Sequence, residues 1–327
     1  MISLDLRFRE PSKQTRKLMC KAAMQTDIKD KQNYIKSAEN EISSITGHEH
    51  AKVVNSGNAA ILAAMSIFKD KIMVPDQGGW TGFKNAAEFL GLKTVEVPTD
   101  IGIIIPGILE ESIHKYNPEA LFITSFAGYI AEQPVKDLFD VCNDNDVILV
   151  EDASGGIGDS EKKLANGDHA HIIVGSTGSP KIVNVGSGGF ISTDNNEIFR
   201  RSKFILKSLK ADAVTSAGIG EEIKNSSFSL KKAIDACLSI KKELKSAVHK
   251  DKRGISIALK ADDSKKAAYL LRQELNAHGR NIITMCPRYD RLLIDAVCVE
   301  IKNIDVRCLQ KDNIKEIVQI IKRIIDY

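Results

Sequence analysis

The sequence predicts an α/β protein, a mostly parallel sheet with helices on both faces, followed by a small α+β C-terminal domain. Three observations carry that expectation. Short apolar runs alternate with helix-length amphipathic segments up to residue 152, the pattern of strands buried from both sides. After His171 the alternation stops, and 171–176 (HIIVGS) and 188–193 (GGFIST) read as two strands joined by the loop that carries Lys181. Residues 211–229 are rich in small and polar side chains, which predicts a boundary or mobile loop before a compact C-terminal part.

Taken in order, residues 33–46 space their apolar side chains as a helix does, and Gly47 supplies a C-terminal stop. The segment 51–54 (AKVV) reads as a strand, Asn55-Ser56-Gly57-Asn58 as a turn, and 59–68 as a small-residue helix. The alternation continues with a strand at 71–76, a helix around 81–90 and a strand at 93–98. It runs on through a helix at 107–116, a strand at 120–126, a helix at 135–145 and a strand at 147–152. Residues 195–210 read as helix with a basic, solvated side. From about residue 230 the pattern is helix, strand at 254–260, helix at 264–279, two strands and a last helix. The expected division is an N-terminal arm at 1–34, a large domain at 35–229 and a small domain at 230–327. No internal repeat or low-complexity tract interrupts it.

Composition narrows the function classes. A chain of 327 residues with 43% apolar and 27% charged residues buries a substantial core. A formal charge of +3 argues against a dedicated nucleic-acid binder, although tRNA is not excluded as a partner. No apolar run approaches the roughly 18–20 residues that span a bilayer. The early charges of MISLDLRFREPSKQTRK lack a signal-peptide core, so a cytoplasmic protein is expected. The six scattered cysteines predict neither a zinc site nor a disulfide framework.

Four features carry the chemistry. Asn55-Ser56-Gly57-Asn58 stands between a strand and a helix start, where exposed amides and the helix dipole suit a phosphate. Trp80, the sole tryptophan, follows the second strand; it stacks on a flat ligand at the sheet edge or caps the core. Glu151-Asp152 ends a buried strand. Asp152 is placed to hold a protonated ring nitrogen, to ligate a metal or to cap a helix, and Glu151 points the other way. Lys181 sits between two strands, preceded by hydroxyls and followed by Gly186, Gly188 and Gly189. A Schiff-base lysine needs a partly desolvated pocket of that kind; a solvated hairpin lysine is the alternative.

The order Ser-Gly-x-Ala, an aromatic after the second strand, Glu-Asp-Ala, Ser-x4-Lys and Gly-x-Gly-Gly resembles the DegT/DnrJ/EryC1/StrS aminotransferases over roughly residues 35–205. That resemblance implies a fold-type I enzyme dependent on pyridoxal 5'-phosphate, with a seven-stranded type of sheet and a homodimer in which active sites are built by two subunits. It implies Lys181 as Schiff-base former and proton shuttle, Asp152 on the pyridine nitrogen and Trp80 on the ring. Gly57 and Asn58 take phosphate contacts, and Ser176 supplies a hydroxyl, with Ser179 as the competing choice. The sequence departs from the family at Gly155, where glutamine is usual, at Thr177, where an aromatic is usual, and at Pro180 before the lysine.

For the substrate, a small amino or keto compound, Arg288 is the first choice to hold a carboxylate and Arg291 the second. His169 and His171 read as structural, and Asn225 as a residue reaching a partner subunit's phosphate. An aminotransferase is the leading function. The alternatives are a lyase, desulfurase or selenocysteine-synthase-like transferase, and a non-catalytic regulator that keeps the fold.

Overall fold

Apolar runs with no polar face form strands only when both sides are covered. The computed structural model describes residues 4–287 and 291–326 and places these runs at the centre of a seven-stranded sheet. Its strands are β1 (His50–Val54), β2 (Lys71–Pro75), β3 (Lys93–Val97), β4 (Ala120–Thr124), β5 (Ile148–Asp152), β6 (Ile172–Ser176) and β7 (Gly189–Thr193). Their spatial order is β1-β7-β6-β5-β4-β2-β3. From β3 to β6 all pairings are parallel, while β7 runs antiparallel to both β6 and β1.

Successive strand residues alternate between two cores. Ile72, Val74, Phe122 and Val150 pack under α3 (Gly57–Met65) and α4 (Thr81–Phe89). Met73, Leu121, Ile123 and Leu149 face α5 (Pro106–Tyr116), α6 (Val135–Asp144) and an earlier helix pair. That pair is α1 (Lys13–Ala23) and α2 (Ile28–Thr46), the latter closed by Gly47 in the left-handed conformation. Two short helices, α7 (Asn196–Arg201) and α8 (Lys203–Ser208), follow β7.

The expected loop at 211–229 is instead α9 (Ala213–Glu222) and the start of α10 (Ser226–Glu243). Its small residues serve helix packing. A Cβ on Gly218 would lie 2.9 Å from Met19 Sδ, and one on Gly220 3.3 Å from Ala38 Cα, so α9 nests against α1 and α2. Helix α10 then joins two cores, with Leu230 and Ile234 in the first and Cys237 and Ile240 in the second.

The second core belongs to β8 (Ile257–Lys260), β9 (Ile283–Cys286) and β10 (Ala296–Val299), an antiparallel sheet in the order β8-β10-β9. It packs with α11 (Ser264–Glu274) and α12 (Lys311–Ile324). The helix expected at 264–279 stops at Glu274. The chain's beginning also lies here: Leu6 is in this core and Phe8 bridges to Ile304. An arm ending at residue 34 is therefore no separate unit, because that position falls inside α2. Arg253 fastens the two parts together, with two bonds to Asp159 at 2.9 and 2.8 Å and an ion pair to Glu132. Among the described residues no helix is long and apolar enough to cross a membrane, and no His/Cys/Asp/Glu group could hold a metal.

Candidate active site

Side-chain alternation sends the two acids at the end of β5 to opposite faces. Glu151 turns into the core, where its Oε1 accepts from Ser125 Oγ at 2.5 Å and from Ala165 N at 3.0 Å; burial pushes its pKa up to about 7. Asp152 turns to the cleft. Its Oδ1 accepts from Ser154 N at 3.0 Å and from Ser154 Oγ at 2.5 Å. Both bonds fall on Oδ1, so no described residue occupies Oδ2. Burial lifts the Asp152 pKa, while the Ser154 bonds and the Lys181 charge hold it back. Ser154 Oγ also accepts from Ser176 N at 2.8 Å, which ties the end of β5 to the end of β6.

Lys181 is not a solvated hairpin lysine. Its Nζ donates to Tyr129 Oη at 2.6 Å and stands 5.0 Å from that ring's centre. Burial pushes the ammonium pKa down, but Tyr129 and then Asp152 outweigh it, and the net direction is upward. The pocket keeps the lysine charged, against the lowered pKa that a ready nucleophile suggests. The segment around it is held from behind: Arg9 Nη2 donates to Ile182 O at 3.0 Å, and Asn184 Nδ2 donates to Arg9 O at 3.1 Å.

The start of α3 meets the end of β6 at a distance only glycine allows. A Cβ on Gly57 would lie 2.6 Å from Ser176 Cβ, and one on Gly189 2.7 Å from Gly57 N. Ser56 caps the helix by accepting from Ala59 N at 3.1 Å. Asn58 Oδ1 accepts from Trp80 Nε1 at 3.1 Å, which sets the indole at the same edge. Ser176 Oγ faces the next turn and accepts from Gly178 N at 3.3 Å. Ser179 is exposed beside its cis bond to Pro180, and among the described residues no hydrogen bond joins it to Gly57 or Ser176. Ser176 is thus the serine placed at the helix start.

Tyr129 and Trp80 open onto a cavity of about 210 Å³ between the two cores, closed on the far side by Arg291, Glu300 and Lys302. Glu300 is buried. It accepts from Thr284 Oγ1 at 2.6 Å, pairs with Arg291, and lies 3.1 Å from Lys302 Nζ; Arg291, then Lys302, outweigh burial and hold its pKa well below the usual carboxylate range. Arg291 Nε donates to Gly128 O at 2.6 Å, yet its Nη2 is buried with no partner among the described residues. Arg291 lies on the cavity wall; Arg288 lies outside the described residues. His171 Nδ1 accepts from Leu149 N at 3.0 Å and His169 sits against Asn166, both structural positions. Asn225 joins α9 to α10 and lines a different cleft.

Tyr129, Glu300 and Lys302 escaped the sequence reading. The signal for Tyr129 was Gly155, the position that departs from the family. A Cβ there would lie 3.1 Å from Tyr129 Cε1 and 3.0 Å from Ile255 Cδ1, so the phenol ring takes the space a longer residue at 155 needs.

The arrangement fits pyridoxal phosphate. A buried carboxylate with an open oxygen suits a ring nitrogen, a helix start with Ser176 suits a phosphate, and a buried lysine amine interacts with the Asp152 charge. A family model of the DegT/DnrJ/EryC1/StrS aminotransferases matches residues 11–226, and one described as the MJ1341 family C-terminal domain matches residues 227–322. Among solved structures, the chain is similar to the Helicobacter pylori PseC aminotransferase of pseudoaminic acid biosynthesis (15% identity, 98% of this chain and 99% of that one, TM-score 0.79). It is similar to 3-amino-5-hydroxybenzoic acid synthase (13% identity, 98% of each chain, TM-score 0.76). A third is NtdA from Bacillus subtilis with bound cofactor PMP (14% identity, 97% and 83% covered, TM-score 0.72). At these identities the structures speak to the fold.

Proposed function

The chain belongs to the DegT/DnrJ/EryC1/StrS aminotransferase family, and from that premise we propose how its residues carry out amino transfer with pyridoxal phosphate. When bound, that cofactor supplies an aldehyde that takes up an amino group and a ring that makes the adjacent C–H acidic. The observation that carries the reading is the convergence of Lys181 and the buried Asp152 on one cleft beside the α3 start.

Asp152 Oδ2 holds the ring nitrogen and favours its protonated form. The first turn of α3, with Gly57, Asn58 and Ser176, holds the phosphate. Trp80 covers one side of the site. Lys181 Nζ anchors the cofactor, and once free it holds the proton that leaves the substrate's amine-bearing carbon. Because Lys181 starts as an ammonium, it must first lose a proton, and Tyr129 Oη is the group in contact to relay it, passing its own phenolic proton onward as it takes the lysine's. Arg291 Nη2, buried without an acceptor, is the donor for a substrate carboxylate, and Lys302 adds positive charge beside it. A cavity of about 210 Å³ suits a compound of amino-acid size. The same reading carries a homodimer working in the cytoplasm, as the family resemblance implies.

A half-reaction tests this. The cofactor-loaded protein is mixed with a panel of amino acids and amino sugars, and conversion to pyridoxamine phosphate is followed by absorbance. Conversion with at least one donor supports amino transfer. No conversion, with elimination products from serine or cysteine instead, replaces it by lyase chemistry.

A further inference from the structure

A second, larger cleft of about 710 Å³ opens between the N-terminal segment, the α9–α10 junction and the small domain. It shares no lining residue with the cavity at Tyr129. Arg9 lies within it at 5% exposure. The Arg9 Nη2 bond to Ile182 O fixes the guanidinium in place, and Nη1 is left buried with no partner among the described residues. The nearby acids do not supply one. Glu222 Oε2 is taken by Thr15 Oγ1 and Ser12 N, and Asp305 by the Arg307 side chain. Burial lowers the Arg9 pKa only to about 10, so the group is charged at neutral pH. A buried charged donor without an acceptor is costly unless a ligand supplies one.

The rest of the cleft is built for the same kind of ligand. Its lining carries six guanidinium or ammonium groups against three carboxylates. Arg280 stacks 4.9 Å over the Phe8 ring and lies 3.9 Å from Glu10 Oε1, which hold it at the wall, and no ion pair joins Lys13 to an acid among the described residues. An excess of three positive charges exceeds what a single carboxylate needs and suits the two or more charges and several oxygens of a phosphate compound.

We propose that this cleft is a site for a phosphorylated small molecule, with Arg9 Nη1 as its innermost donor and Lys13 and Arg280 as outer contacts. It is separate from the site where the amino group is transferred and does not depend on that reaction.

The test is calorimetric titration of the full chain with pyrophosphate, after saturation with pyridoxal phosphate so that the α3 start does not compete. One saturable site per chain is expected, weakening as salt rises. In the Lys13→Ala/Arg280→Ala variant the affinity should fall about tenfold or more, the effect of losing charge-assisted contacts. Arg9→Gln should weaken it further; if that buried change prevents folding, the exposed pair still decides. The absence of a saturable site, or equal affinity in the pair variant, overturns the proposal. Citrate binding as tightly as pyrophosphate overturns the phosphate assignment.

Discussion

Tyr129 Oη accepts a hydrogen bond from Lys181 Nζ at 2.6 Å, and it does so from a residue held at φ +65°, a backbone region aromatic side chains rarely enter. Lys302 Nζ lies 4.9 Å from the same ring centre and the Arg291 guanidinium 5.4 Å, so three cations surround one phenol. The turn is strained where the chemistry is expected.

Tyr129→Phe keeps the ring and removes the oxygen. Burial already pushes the Lys181 pKa down, and the tyrosine contact is the first of the influences that raise it, so its loss moves Lys181's titration to lower pH. The acid limb of the kcat/KM profile should shift downward, and kcat should fall about a hundredfold, as for loss of a proton relay. A variant with unchanged limb and unchanged kcat would remove Tyr129 from the mechanism.

Gly155 and Tyr129 should be coupled in stability. Gly155→Ala puts a methyl 3.1 Å from Tyr129 Cε1 and 3.0 Å from Ile255 Cδ1. Overpacking of that kind costs about 1–3 kcal/mol. In a Tyr129→Ala background part of that cost should vanish, Ile255 keeping the rest, a difference that denaturant unfolding of the four proteins measures. Equal costs in both backgrounds would mean the ring does not govern position 155.

These two residues also mark what the sequence could and could not reveal. The placement of Asp152 at a strand end and of Lys181 in a glycine-framed loop was legible because both have local signatures. Tyr129 was not, because its role depends on a turn that aims it across the cleft at a residue 52 positions away. Its only trace was the missing side chain at 155. The small residues of α9 misled in the opposite direction. Gly218 and Gly220 resemble loop composition, yet they are small so that α1 and α2 can approach, a packing fact that periodicity does not carry.

Glu151→Gln should change the pH dependence of stability. Burial raises the folded-state pKa to about 7 from the ordinary 4.5, so the folded protein keeps a proton that the unfolded chain has lost. The stability from that proton is complete below pH 4.5 and disappears as pH rises through 7, a loss of up to roughly 3 kcal/mol. Unfolding curves of the wild type should therefore weaken across that window, and those of Glu151→Gln should weaken less. Parallel curves would contradict the raised pKa.

Arg291→Lys retains a charge but not the planar fork. If Arg291 Nη2 holds the substrate carboxylate, KM for the carboxylate substrate should rise by about tenfold to a hundredfold while kcat changes less. Steady-state kinetics with a donor from the half-reaction panel measures the split. A fall confined to kcat would place Arg291 in support of Tyr129 instead.

The most direct test of the account is to fix the cofactor in place. The protein is loaded with pyridoxal phosphate, reduced with borohydride, digested and mapped by mass spectrometry. The account predicts a single modified peptide, carrying the label on Lys181, and no label in Lys181→Ala. A label on Lys302 or any other lysine in the wild type, or none at all, would contradict it.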